Sequence, residues 1–363
     1  MACEAAKLRG LRARAVNVPL ARPLQTGGGA VATAPLVLVD LQTDAGITGS
    51  AYVFCYTPLA LAPVARLIET LNGVIAGLPL APLDIAARLQ STFRLLGCQG
   101  FVGMAIAAVD MAAWDAQAKV AGLPLARLLG AAPRPVPAYN SNGLGIIGPE
   151  KAAAEAQQLV AEGFDAIKLS LGYADFAADL AVVRVVRAAV GDAVQVMSDY
   201  NQCLSVPEAK QRVTGLDGEG LYWIEEPTRC DDYEGHAEIR AVSPVPIQLG
   251  ENCWGPHDME KALAAGACDY FMADAMKIGG VTGWLRAAAL AEARGVPLSC
   301  HLFPEVSAHL LAATSGCHWL EYVDWAGPIL REPLALEGGA ATAREVPGVG
   351  LAWNEDAVAK FLA

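Results

Sequence analysis

From about residue 136 the chain alternates in a regular beat of apolar and polar positions. Each short run rich in β-branched and aromatic residues ends on a polar residue. A stretch of Ala, Leu and Val with charges at helical spacing then follows. The strand-like runs are PVPAYN, DAIKLS, VQVMSD, LYWIEE, PIQLGE, YFMAD, PLSCH and HWLEY. Helices are predicted between them at about 150–162, 176–190, 207–216, 233–243, 257–265, 281–294 and 306–314. Eight strands alternating with helices favour a parallel sheet closed into a barrel over an open sheet, since no glycine-rich GxGxxG turn follows the first strand. No barrel helix is evident after the last strand, so the expectation is an α/β fold, a TIM-like (β/α)7β barrel over residues 136–330.

Residues 1–135 carry a different pattern. LVLVDLQTDAGITGSAYV holds two alternating runs broken at Asp44, Ala45 and Gly46, which predicts a β-hairpin. Helices near 58–77 and 101–121 follow, the second stopped by Gly122 and Pro124. An N-terminal α+β domain over 1–135 is therefore expected ahead of the barrel. The tail, 331–363, with a short final helix, is expected to return to it.

Composition narrows the partners. A chain of 363 residues that is 54% apolar can bury a large core. With 26 basic against 38 acidic residues, a net charge of −12 and no Lys/Arg-rich run, neither nucleic acid nor an anionic membrane is an expected partner. The nine cysteines are odd in number, scattered and free of CxxC pairs, the usage of reduced thiols in a cytoplasmic protein. The opening MACEAAKLRGLRARAV is charged where a signal peptide would be apolar. No stretch reaches the about 18 uninterrupted apolar residues of a membrane span, so a soluble protein is expected.

In a barrel the chemistry gathers at the C-terminal ends of the strands. The polar residues closing the runs are Lys168, Asp199, Glu225, Glu251, Asp274, His301 and Glu321, about one βα unit apart, so each comes from a different strand. Any one of the acids is most simply a solvated side chain at a loop mouth. Three on neighbouring strands, Asp199, Glu225 and Glu251, would repel unless a hard cation lay between them, and an all-oxygen set of this charge suits Mg²⁺, with Mn²⁺ as a substitute. Asp274 can hold one ring nitrogen of His301 and leave the other as a general base. The other histidines, His236, His257, His309 and His318, are read as surface or packing residues in helical or connecting stretches. A base facing a divalent cation, with Lys168 and Glu321 nearby, is the equipment for removing a proton α to a carboxylate. Glu321 is expected to donate to the enediolate if a dry pocket raises its pKa, although a strand-end salt bridge is an equal reading.

These residues sit in longer motifs: RAVNVPLA, DMAAWDAQAKVAGLPLARLLGA, SDYNQ, WIEEPT followed by DDYEGH, QLGEN, DAMKIGGVTGW, CHLF with SAHLLAAT, HWLE and PGVG. Together, over nearly the whole chain, they resemble the enolase superfamily and within it the mandelate racemase subgroup. The resemblance implies a capping domain over the barrel, often in an octameric homo-oligomer. It implies Asp199, Glu225 and Glu251 as Mg²⁺ ligands, Asp274 with His301 as the base dyad, Glu321 as the acid at the substrate carboxylate and Asn201 as a contact to the substrate hydroxyl. Lys168 matches the first lysine of the family's KxK motif, and Lys277 is expected behind the site.

The departure from the family is Ser170, where the second lysine of KxK would stand. That lysine is the base for the second enantiomer in racemisation, and a serine hydroxyl does not accept such a proton unaided. The expected reaction is therefore one-base dehydration of a 2-hydroxy acid to a 2-keto acid through His301. A racemase or epimerase of mandelate or a related aromatic 2-hydroxy acid is the alternative, and a non-catalytic metal-binding descendant is the reading from another class. The specificity loop of the family corresponds to LQTGGGAVA, 24–32, whose three glycines suggest mobility. Leu24, Val31 and Tyr56, with Ser141 and Ser170, are expected to meet a small carboxylate substrate of apolar or aromatic character.

Overall fold

The computed structural model describes residues 6–363; Cys3 and the rest of the first five residues lie outside it. The chain begins with an antiparallel sheet of β1 (Leu8–Thr26), β2 (Gly29–Thr43) and β3 (Thr48–Phe54), in that order. The hairpin expected around Asp44–Gly46 joins β2 to β3, with Leu36 paired to Phe54 and Gln42 to Thr48. The segment 24–32 is not a loop. Leu24 pairs with Val31, Gln25 with Ala30 and Thr26 with Gly29, so it forms the tip of a second, longer hairpin between β1 and β2. Gly27 and Gly28 supply the tight connection that lets both strands run to the end. Pro19 and Pro23 mask this strand in the sequence, and the register shifts between Pro19 and Leu24 where they interrupt the ladder.

One face of this sheet is covered by α1 (Leu61–Thr70), α2 (Asn72–Ile75) and α4 (Gly100–Ala121), with α3 (Pro82–Thr92) packed against α4. The helix expected over 58–77 is broken into a 3₁₀ turn at 58–60, α1 and α2. Among the described residues, 58–75 is the one helical run apolar and long enough to cross a membrane by length and composition. Here it buries Leu61, Val64, Ile68, Leu71 and Ile75 against the sheet. The short helix α3 escaped the sequence pattern, although Pro82 at its first turn and the spacing of Ile85, Ala86 and Leu89 mark it. Helix α4 is apolar nearly all round because it is enclosed by β3 on one side and the barrel on the other. Asp110 accepts hydrogen bonds from the backbone N–H and hydroxyl of Thr282 on the barrel.

After α5 (Leu125–Leu128) the barrel runs through β4 (Pro135–Asn140), β5 (Ala166–Ser170), β6 (Gln195–Asp199) and β7 (Leu221–Glu225), then β8 (Ile247–Leu249), β9 (Tyr270–Asp274), β10 (Leu298–His301) and β11 (Cys317–Tyr322). All neighbours are parallel, and β11 closes on β4 with Leu320 opposite Ala138 and Tyr322 opposite Asn140. Seven helices connect them: α6 (Pro149–Ala161), α7 (Phe176–Val190), α8 (Val206–Gly215), α9 (Tyr233–Arg240), α10 (Pro256–Ala264), α11 (Gly280–Arg294) and α12 (Pro304–Ala312). A 3₁₀ turn at Gly327–Ile329 stands where an eighth barrel helix would begin, which makes this the expected (β/α)7β barrel.

The tail adds a small ribbon, β12 (Leu336–Glu337) and β13 (Ala340–Thr342), antiparallel to β4, and ends in α13 (Glu355–Lys360). It reaches the first sheet: Trp353 donates its indole N–H to Asp40 on β2, and Arg14 on β1 bridges Asp40 at 2.9 Å and Glu355 at 2.5 Å. The barrel floor is plugged by Tyr139, Met197, Trp223 and Met272, with Tyr222, Tyr270 and Trp319 packed against them. His318 belongs to this plug. It lies on strand β11 rather than in a helix or connection, its ring nitrogens hydrogen-bonded to Tyr222 and Ser299. The plug leaves the open end of the barrel as the place for a ligand.

Candidate active site

Asp199 and Glu225 end their strands and Glu251 lies two residues past β8. The three are buried and each offers an oxygen within 4.8 Å of the others. Lys168 on β5 points into the same cluster, with Nζ 2.7 Å from Glu321, 3.1 Å from Glu225 and 3.5 Å from Asp199. Burial alone would strip its proton, but Glu225 and Glu321 outweigh burial and hold its pKa well above the usual lysine range. One ammonium does not neutralise the cluster. Burial lifts Asp199 to about 6 and Glu225 well above the carboxylate range despite Lys168, so these acids lack positive charge. A buried, all-oxygen, charge-deficient triad fits a hard divalent cation.

His301 closes β10 beside Asp274, which closes the adjacent β9 in register with it. Its Nδ1 lies 2.7 Å from Asp274 Oδ2, while Asp274 Oδ1 accepts the backbone N–H groups of Met276 and Lys277, both at 2.8 Å. The carboxylate thus fixes the tautomer and leaves Nε2 toward the pocket, 3.3 Å from Glu251 and 3.9 Å from Glu321. Burial pulls the imidazole pKa down, but Glu251, Glu321 and Asp274 lift it to about 9. A cation held by the triad would oppose those carboxylates and bring the ring back toward a base.

Glu321 differs from the expectation of a raised acid. Burial would raise it, yet Lys168 at 2.7 Å, His301 and the Leu302 N–H at 2.9 Å hold it at about 2. In this arrangement it is an ionised partner of Lys168.

Every other expected substrate contact, Leu24, Val31, Tyr56, Ser141, Ser170 and Asn201, lines the same cavity of about 540 Å³. Asn201, at φ +45°, donates its side-chain N–H to Asp199 at 2.8 Å, while its buried Oδ1 has no protein partner. Lys277 lines the cavity rather than standing behind it, with Nζ 4.4 Å from the Tyr56 ring centroid and bonded to Asn252. The β1–β2 hairpin tip roofs the pocket. A Cβ on Gly27 would lie 2.8 Å from Cys203 Sγ, and one on Gly28 3.1 Å from the Asn201 carbonyl, so the glycines permit the close seat.

Sequence reasoning missed Glu226, which follows Glu225 of the triad in WIEEPT, has φ +36° and is buried. Burial and Glu251 push it to about 8, and Asn252 donates to both its oxygens. It also missed the apolar wall of Phe54, Met104, Trp254, Leu302, Val323 and Trp325. Nothing local marks these; they come from separate elements and meet only when the first domain closes over the barrel.

A family model described as enolase C-terminal domain-like matches residues 151–357, and one for the mandelate racemase / muconate lactonizing enzyme N-terminal domain matches 9–130. A solved structure of an enolase from Bradyrhizobium, complexed with magnesium and mandelic acid, is 45% identical to this chain, with 100% of each chain covered and a TM-score of 0.95. L-talarate/galactarate dehydratase of Salmonella typhimurium is 30% identical over 89% of this chain and 81% of its own length. L-Ala-D/L-Glu epimerase of Bacillus subtilis is 28% identical over 89% of each.

Proposed function

The chain belongs to the mandelate racemase and muconate lactonizing enzyme family of the enolase superfamily, and from that premise we propose that it is a magnesium-dependent dehydratase that removes the α-proton of a 2-hydroxy carboxylate with a single base. Asp199, Glu225 and Glu251 are the residues that would hold Mg²⁺, or Mn²⁺ in its place. When bound there, the cation supplies Lewis-acid stabilisation of charge developing on the substrate carboxylate. Lys168 adds a fixed ammonium at the same carboxylate. His301 Nε2 takes the proton from C2, and Asp274 balances the imidazolium that results. The protonated ring then delivers that proton to a hydroxyl leaving C3 as water, and the enol tautomerises to a 2-keto acid.

The observation that carries this reading is the asymmetry of the pocket. His301 on β10 is a held imidazole, while Ser170 stands on β5, three strands round the closed barrel. Lys168 on that side is engaged by three carboxylates, so it is not free to act as the second base. Lys277 follows β9, next to His301's own strand.

A racemase of mandelate or a related aromatic 2-hydroxy acid is the second reading, favoured by the Bradyrhizobium relative with bound mandelic acid and by the apolar wall of this pocket. A substrate satisfying both arguments is a 3-aryl-2,3-dihydroxy acid. The proposal also takes a homo-oligomer, octameric by family resemblance, and a cytoplasmic location, with no nucleic-acid or membrane partner. The eight free cysteines among the described residues support a reducing compartment.

The test is proton NMR of a panel of 2,3-dihydroxy acids with enzyme and Mg²⁺. The expected result is a 2-keto acid from at least one member, abolished in His301→Asn. Turnover that persists in His301→Asn would remove the base from this account.

A further inference from the structure

The backbone leaves β10 by an unusual route. Leu302 and Phe303, directly after His301, have φ of +52° and +50°, and neither is glycine. Left-handed backbone is unfavourable at residues with a Cβ, so surrounding contacts must enforce it. The turn does specific work at the pocket. It aims the Leu302 N–H at Glu321 Oε2, 2.9 Å away, and places the Leu302 side chain on the cavity wall.

The contacts that hold the turn come from both domains. From the barrel, the Ser307 hydroxyl donates to the Leu302 carbonyl at 3.0 Å. From the first domain, Tyr52 on β3 sets its ring against that of Phe303, with centroids 5.3 Å apart, and its hydroxyl donates to Glu305 Oε2 at 2.6 Å. Both partners of that bond are buried. Burial, with Glu305 adding to it, keeps the Tyr52 phenol protonated and therefore a donor.

We infer that Tyr52 is a positioning residue: its ring on Phe303 and its hydroxyl on Glu305 lock the left-handed turn that sets His301 and aims the Leu302 N–H at Glu321. The capping domain thereby reaches the proposed base through the backbone, without touching substrate. The inference rests on the reading of His301 as the base.

Tyr52→Phe keeps the ring and deletes only the donor, so it isolates the bond. Loss of alignment at a reacting centre costs about 10- to 100-fold in rate. The expected result is a fall of that size in kcat per folded enzyme, with KM within about twofold. Glu305→Ala should match it, and the double variant should be no worse than either single change. Glu305→Gln, which still offers an oxygen to Tyr52, should recover most of kcat. A merely structural role would lower the melting temperature and the folded fraction while leaving kcat per folded enzyme unchanged. Tyr52→Phe within twofold of the parent kcat overturns the inference.

If the parent enzyme deprotonates no acid in the panel, the functional reading has failed, and the inference is then judged on the His301 ring resonances in histidine-labelled protein, assigned by their loss in His301→Asn. Displacement in Tyr52→Phe with return in Glu305→Gln supports it, and unmoved resonances overturn it.

Discussion

Ser170 and His301 face one pocket from strands three places apart, and at the scale of single residues the proposed chemistry follows from what each can do with a proton. A serine hydroxyl does not take one from carbon, whereas an imidazole held by a carboxylate does. Ser170→Lys places a second amine where the family's KxK motif has one. The expected gain in racemisation of mandelate is on the order of 100-fold or more, read by polarimetry. No gain would show that something other than the missing base limits that reaction. Glu225→Gln removes one charge from the triad and leaves its shape. Calorimetric titration with Mg²⁺ should show affinity lowered by more than about tenfold; unchanged affinity would place the cation elsewhere. At this scale Asp199, Glu225, Asp274 and His301 were legible because each ends its strand, whereas Lys168 lies inside β5 and Glu251 past β8. The state of Glu321 was not legible, since it depends on the 2.7 Å contact with Lys168 and on a backbone N–H from a strained turn.

Between elements, α4 fits closely against β3. A Cβ on Gly49 would stand 2.0 Å from the Ala112 carbonyl, so Gly49→Ala must push helix from strand. Overpacking of this kind costs about 1–3 kcal/mol. Gly73→Ala is the control: Gly73 is helical in α2 with open space around it, and the change should be neutral or slightly stabilising. Thermal melting of the two variants separates them, and an equal shift in both would contradict the packing account. The barrel strands and helices were readable because the two hydrophobic periods alternate cleanly there. The β1–β2 hairpin was not, because two prolines and three glycines look like a loop when β1 and β2 are considered separately. The pairing of Leu24 with Val31 is a long-range fact, as is the meeting of Phe54, Tyr56 and Trp325 over the pocket.

For the whole molecule, the seams between the first domain, the barrel and the tail carry buried polar groups that link stability to pH. His309 on α12 accepts the Ala126 N–H through Nδ1 and meets the Val349 carbonyl through Nε2, an arrangement that needs the neutral ring. Burial lowers its pKa to about 4. The folded value lies below the ordinary 6.5, so the unfolded chain binds the extra proton. The His309 contribution is complete above pH 6.5 and is lost as pH falls toward 4, about 3 kcal/mol in all. Asp110, lifted to about 7 by burial, acts in the opposite sense between pH 3.8 and 7, so the variant must be compared with the parent. Urea unfolding of His309→Gln should show an acid slope shallower by about one proton than the parent's; parallel slopes would contradict this. In the proposed reading the pocket that this closure covers holds one base, His301, on one wall. The most direct measurement is exchange of the α-proton of (R)- and (S)-mandelate, offered separately in D2O with Mg²⁺ and followed by proton NMR. Exchange from one enantiomer alone, lost in His301→Asn, is the expected result; exchange from both at comparable rates would require a second base and contradict one-sided proton abstraction.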